Sequence, residues 1–184
     1  MRQGFWLAVW LAAAGAGALA GEPVRQEAVA SLSFRVKLAP ADEASRDARA
    51  VDLFETRTPG AAWRRIGACD IRTTDGELMF SRSVNVPGDG LYYYTSRASD
   101  AAGNSAPPQP GETAQITVLV DTKRPVVEVA APLAQAVLRA GAEAAIRWTA
   151  QDENLAPRPI ALAYSSDNGA TWRTIADNLP NAGE

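Results

Sequence analysis

Residues 51–67, VDLFETRTPGAAWRRIG, align without gaps on residues 160–176, IALAYSSDNGATWRTIA, at a constant offset of 109 residues. Leu53/Leu162, Gly60/Gly169, Ala61/Ala170, Trp63/Trp172, Arg64/Arg173 and Ile66/Ile175 are shared in place. That offset is too long for a solenoid, whose units recur every ~20–50 residues, and it suits a β-sandwich of about 100 residues. The chain therefore reads as two copies of one module.

Alternation of apolar and polar residues gives the strands. In SLSFRVKL, Leu32, Phe34, Val36 and Leu38 share one face while Ser33, Arg35 and Lys37 share the other. Strands are likewise expected at 51–55, 63–66, 77–86, in LYYYTSRA and in TAQITVLV, separated by turn-rich PGDG and DAAGNSAPPQPGE. VVEVA, AAIRWTA, IALAYS and TWRTIA supply strands of the second copy. No stretch keeps a 3.6-residue period over a helix length, so the fold is expected to be all-β. Allowing a small gap in the repeat, residues 183–184 correspond to Gly76-Glu77, where ELMFSRSV begins. The second copy thus lacks counterparts of ELMFSRSV, LYYYTSRA and TAQITVLV, and an apolar face and a strand edge are expected to need cover. Either the chain is expected to be cut short here, or something else, such as a partner, supplies those strands.

The N-terminus reads as an export signal. Arg2 precedes an apolar run from Phe5 to Gly17, and Ala18-Leu19-Ala20 gives small residues for cleavage after Ala20. A spanning helix needs roughly 20 strongly apolar residues, and the second half of this run is mostly Ala and Gly. No membrane insertion is expected after cleavage. The expected boundaries are 1–20 signal peptide, 21–121 first sandwich, 122–125 linker and 126–184 partial second sandwich. The expected location is extracellular, cell-surface or periplasmic. Net charge is −3, which argues against nucleic acid, whose phosphates need a basic stripe. The single cysteine, Cys69, cannot form an internal disulfide and reads as a small buried residue. With no histidine, His-based triads and most zinc sites are out of reach.

RASDAAGNS followed by VLVDTKRP resembles the repeated Ig-like and fibronectin-III-like modules of bacterial extracellular proteins, which end in a D-x-A-G-N hairpin, a last strand and a D-T-x-x-P linker. AIRWTAQDENL and ALAYSSDNGATWRTIADNLPNAGE resemble the first half of the next copy. SSDNGATW, residues 165–172, also matches the S-x-D-x-G-x-T-W hairpin, or Asp box, of sialidases and related β-propellers. These resemblances imply tandem Ig-like or fibronectin-III-like β-sandwiches, the second incomplete at the C-terminus. They further imply a spacer, adhesion or accessory region of a larger secreted or surface protein.

Each candidate site has a structural reading beside a functional one. In the Asp-box hairpin, Ser165, Asp167, Gly169, Thr171 and Trp172 do structural work. The Asp carboxylate accepts turn N–H groups, the Gly takes a positive φ, and the Trp anchors the returning strand. Trp63 and Trp148 are also expected as core anchors. A sialidase-like enzyme needs several such boxes, and the first copy has Thr58 where the Asp would be. The adjacent acids Asp42-Glu43 and Asp152-Glu153 lie in loops, whereas glycosidase chemistry needs two carboxyls across a cleft. Asp100, Asn104, Asp121, Asp152 and Asn154 lie in turns near module ends. Each caps its own turn, or together they hold calcium, which takes six to eight oxygen ligands. Tyr92 and Tyr94 share a strand face and are the candidate glycan contacts. The chain is therefore expected to be a non-catalytic extracytoplasmic structural, adhesion or spacer module, with no cofactor. Its expected partners are other domains of a longer chain, surface proteins or glycans. The alternatives are a carbohydrate-binding accessory module and a fragment of an Asp-box glycoside hydrolase.

Overall fold

The computed structural model describes residues 6–11, 25–40, 46, 48–99, 102, 104, 106–133 and 136–183. The fold is all-β. Its strands are β1 (Trp6–Leu11), β2 (Arg25–Val29), β3 (Ser33–Leu38), β4 (Val51–Thr56), β5 (Arg64–Ala68), β6 (Asp70–Thr74) and β7 (Glu77–Asn85). They continue with β8 (Gly90–Ala98), β9 (Ile116–Val120), β10 (Val126–Ala131), β11 (Arg147–Gln151), β12 (Ile160–Ser165) and β13 (Arg173–Leu179). The chain divides into two compact units between Thr122 and Lys123. The larger unit is Ala18–Thr122, and the smaller joins Lys123–Glu184 to Met1–Gly17.

In the larger unit a five-stranded sheet, β2-β9-β8-β4-β5, and a three-stranded sheet, β3-β7-β6, share one core. Val36 and Leu38 of β3 and Phe80 and Val84 of β7 meet Val51 and Leu53 of β4, Tyr92 and Tyr94 of β8, and Ile116, Val118 and Val120 of β9. The alternation in each strand sends these residues inward. β4 is buried along its whole length, with the core on one side. On its other side, Thr56 shares a cleft wall with residues 111–114 of the segment before β9.

Two strands escape the alternation argument. β6 is polar along most of its length and pairs with β7 through a turn in which Asp75 and Gly76 both take positive φ, 52° and 82°. An Asp-Gly pair is the usual chemistry of such a two-residue hairpin. β2 is mostly exposed and runs parallel to β9.

The repeat survives at the level of backbone register. In the larger unit Leu53 faces Gly67, Phe54 faces Arg65 and Glu55 faces Arg64, with a register shift between Leu53 and Phe54. In the smaller unit Leu162 faces Ala176, Ala163 faces Thr174 and Tyr164 faces Arg173, with a shift between Leu162 and Ala163 and a further one between Ile160 and Leu162. The two hairpins carry the same bulge at the same repeat position, and Ile66 and Ile175 are the extra residues.

The smaller unit has less to bury. Its sheets are β1-β12-β13 and β10-β11, and its core gathers Trp148, Ala150, Ile160 and Leu162 with Val127, Ile146 and Leu179 packed beside them. Ile66 packs against the larger core, whereas its counterpart Ile175 is 47% exposed. Val126, Leu133, Val137 and Leu138 are exposed as well. The buried indole N–H of Trp148 finds no acceptor among the described residues.

Candidate functional site

The Asp-box hairpin closes on itself. Ser165, buried at the end of β12, places its Oγ 2.8 Å from the N–H of Gly169 and 3.3 Å from that of Asp167. That hydroxyl donates to Asp167 Oδ1 at 2.7 Å. Oδ1 also accepts from the Thr171 N–H at 2.8 Å, and Oδ2 accepts from Thr171 Oγ1 at 2.5 Å. Asn168 and Gly169 take left-handed φ of 57° and 86°, which a glycine meets without strain. Both carboxylate oxygens are committed to the turn. The Thr171 hydroxyl, the Ser165 hydroxyl and the Thr171 amide hold the Asp167 pKa down at about 2.

A pH dependence follows, and its sign is fixed by that shift. The folded pKa lies below its ordinary 3.8, so the hairpin gains stability that is present above about pH 4 and is lost as pH falls through about 2. A carbon-13 titration of the Asp167 carboxyl is expected to give a midpoint near 2. A midpoint near 3.8 would show that these bonds do not form in solution.

The first-copy hairpin uses the same scheme with weaker groups. Thr56 stands where Ser165 does and accepts from the Thr58 N–H at 3.4 Å, while Ala61 N–H donates to Thr58 O at 3.1 Å. Ala170 N–H donates to Asp167 O in the matching place.

Two tryptophans depart from the core role expected of them. Trp148 is buried, but Trp172 is 40% exposed and Trp63 is half-buried. Trp63 lines a cleft of about 250 Å³ with Tyr93, Thr56, Pro59 and residues 111–114. Its indole N–H donates to Gln109 O at 3.2 Å, which ties the segment before β9 to the hairpin. Arg97 pairs with Glu112 in the same segment.

The tyrosine run is corrected likewise. Tyr92 and Tyr94 are 0% exposed and present no ring face to a glycan, because both point into the core from β8. Tyr92 hydroxyl donates to Gly88 O at 2.7 Å, and Arg57 covers its ring at 4.6 Å. Tyr94 hydroxyl donates to Glu55 Oε2 at 2.9 Å. Burial, then the bond to Glu55, raises the Tyr94 pKa well above its usual value, so the donor proton stays on. Tyr93, one position along, is the member that reaches the cleft.

Two buried carboxylates went unread in the sequence. Asp52 sits on β4 with Arg65 at 2.7 Å and Ser99 Oγ at 3.1 Å, and Glu55 on the same strand has Arg64 at 2.7 Å. The signal was present as two acids in VDLFET opposite the Arg pair of WRRIG, which the hairpin register brings together. These pairs pin β4 to β5 and to the start of the loop after β8. Cys69 is half-buried against the core, and burial raises its thiol to about 11, which leaves it protonated.

Of the residues considered for calcium, Asp152 and Asn154 share one turn. Asp152 Oδ1 accepts from the Asn154 N–H at 2.7 Å and so caps its own turn. Asp121 donates its N–H to Val29 O at 3.0 Å, and Asn104 is exposed. Asp100 lies outside the described residues, as do Asp42 and Glu43. Among the described residues no three acidic, Cys or His side chains gather to hold a metal. Glu153 pairs with Lys123 at 3.0 Å.

Comparison of the sequence with protein-family models and with curated proteins gives no match.

Proposed function

We propose that the chain is a non-catalytic, exported structural module built of tandem Ig-like or fibronectin-III-like sandwiches, serving as a spacer or adhesive segment of a larger secreted or surface assembly. One observation carries this reading: the β4–β5 and β12–β13 hairpins repeat the same register and the same bulge at an offset of 109 residues. A module copied at that spacing serves to extend a chain. The Tyr92 hydroxyl bound to a backbone oxygen four residues upstream supports the sandwich class, where such a corner recurs. The carboxylates of Asp167, Asp52 and Glu55 are bound within the fold, which suits scaffold better than catalysis.

A second reading has its own observation. The Trp63–Tyr93 cleft offers two part-exposed aromatic rings with Glu112 beside them, the kind of surface on which a sugar ring packs. The carbohydrate-binding alternative therefore moves from Tyr92 and Tyr94 to Trp63 and Tyr93.

One experiment separates these readings. The full chain is produced in a bacterial host, its N-terminus is sequenced in each cell fraction, and the exported product is applied to a glycan array. The spacer reading expects a product beginning at Gly21 outside the cytoplasm and a flat array. A chain kept in the cytoplasm with Met1 intact would sink export. An array signal abolished by Trp63→Ala would replace the spacer reading with the sugar-binding one.

A further inference from the structure

The N-terminal strand β1 pairs with β12 of the smaller unit in a register that the larger unit repeats. In the larger unit, β8 lies antiparallel to β4 on the side away from β5, with Tyr93 opposite Thr56 and Ala98 opposite Val51. Moving β4 by the repeat offset gives β12, Ile160–Ser165. On the side of β12 away from β13 lies β1, also antiparallel, with Trp6 opposite Ser165 and Leu11 opposite Ile160. Residue for residue, Trp6–Leu11 takes the register of Tyr93–Ala98.

We infer that the outer edge of β12 is a strand-acceptor site of defined register, and that its occupant in this chain is the N-terminal segment Trp6–Leu11. The physical reason is twofold. A bare β12 would present its outward N–H and C=O groups unpaired, and such a row is a template for another strand. Ile160 and Leu162 on β12 belong to the small core, so the strand beside them also limits how much apolar surface meets water. Ile175 is exposed, and the Trp148 N–H finds no acceptor among the described residues. A segment that reads as a cleavable leader thus closes the unit, and its removal opens the edge to strand addition. The inference rests on the paired register and not on the proposed role in export.

Cross-linking of the full chain, made without export so that the N-terminus is kept, tests it. Ala8 and Ala163 face each other. Directly opposed residues lie about 4.5–5.5 Å apart at Cα, within reach of a disulfide. Ala8→Cys with Ala163→Cys is expected to oxidise to an intramolecular bridge. Ala8→Cys with Ala161→Cys, two residues off register and about 7–8 Å away, is expected not to. Amide exchange gives the second measurement. Ala8→Pro with Val9→Pro removes two neighbouring N–H groups, one of which must point at β12. Every second amide of Ile160–Ser165 is then expected to exchange about tenfold or more faster, while the amides facing β13 and those of β4 and β8 keep their protection. Equal bridging of both cysteine pairs, or bridging only between molecules, would overturn the assignment. So would β12 protection that the two prolines leave unchanged.

Discussion

Replacing Phe80 by Ala is expected to cost the larger unit about 3–5 kcal/mol. Phe80 is fully buried on β7, the middle strand of the three-stranded sheet, and belongs to the cluster shared with the five-stranded sheet. Removing the ring takes away its transfer free energy and leaves a cavity walled by residues of both sheets, which cannot collapse without moving strands. A domain holds roughly 5–15 kcal/mol in all, so this one change takes a large share. Urea unfolding of the full chain, followed by amide exchange in β4, β7 and β8, measures it. A loss below about 1 kcal/mol would mean that the two sheets do not close over Phe80.

The second large effect is a contrast between repeat partners. Leu53 and Leu162 occupy the same position in the two hairpins, and both are buried. Leu53→Ala is expected to cost about 2–5 kcal/mol, as for a well-walled core leucine. Leu162→Ala is expected to cost less, about 2 kcal/mol at most, because the cost depends on how rigid the surrounding walls are. Leu53 belongs to a cluster built from β3, β4, β7, β8 and β9, while Leu162 shares its cluster with Trp148, Ala150 and Ile160. Exchange protection read separately in β4 and β12 measures both. Equal losses would show that the smaller unit is packed as firmly as the larger.

Where the sequence could be read, the reason was local. Strict alternation in SFRVKL foretold which residues point inward, since side chains on a strand have a period of two. The acceptor role of the Asp167 carboxylate and the positive φ of Gly169 were legible because they depend on groups within a few residues of each other, whereas the bonds of the Ser165 and Thr171 hydroxyls were not. β6 was missed because a polar strand carries no alternation, although Asp75-Gly76 announced its turn. Tyr92 and Tyr94 were placed on one face correctly, but a period of two says nothing about whether that face meets core or water. Trp63 and Trp172 were read as buried for their size, yet Trp63 is half-buried against the segment before β9 and Trp172 is exposed.

The sequence by itself determined the all-β character, the repeat offset and the chemistry of the hairpin tips. Those properties depend on neighbours a few residues apart or on direct comparison of two stretches. Only the tertiary structure decided which strands lie side by side and which face is covered. It also paired Asp52 and Glu55 with their arginines and set Trp6–Leu11 against β12. Those contacts range from about ten residues apart, for the carboxylate–arginine pairs, to more than a hundred, for Trp6–Leu11 against β12, and the burial and desolvation that give them their energy exist only once the strands have met.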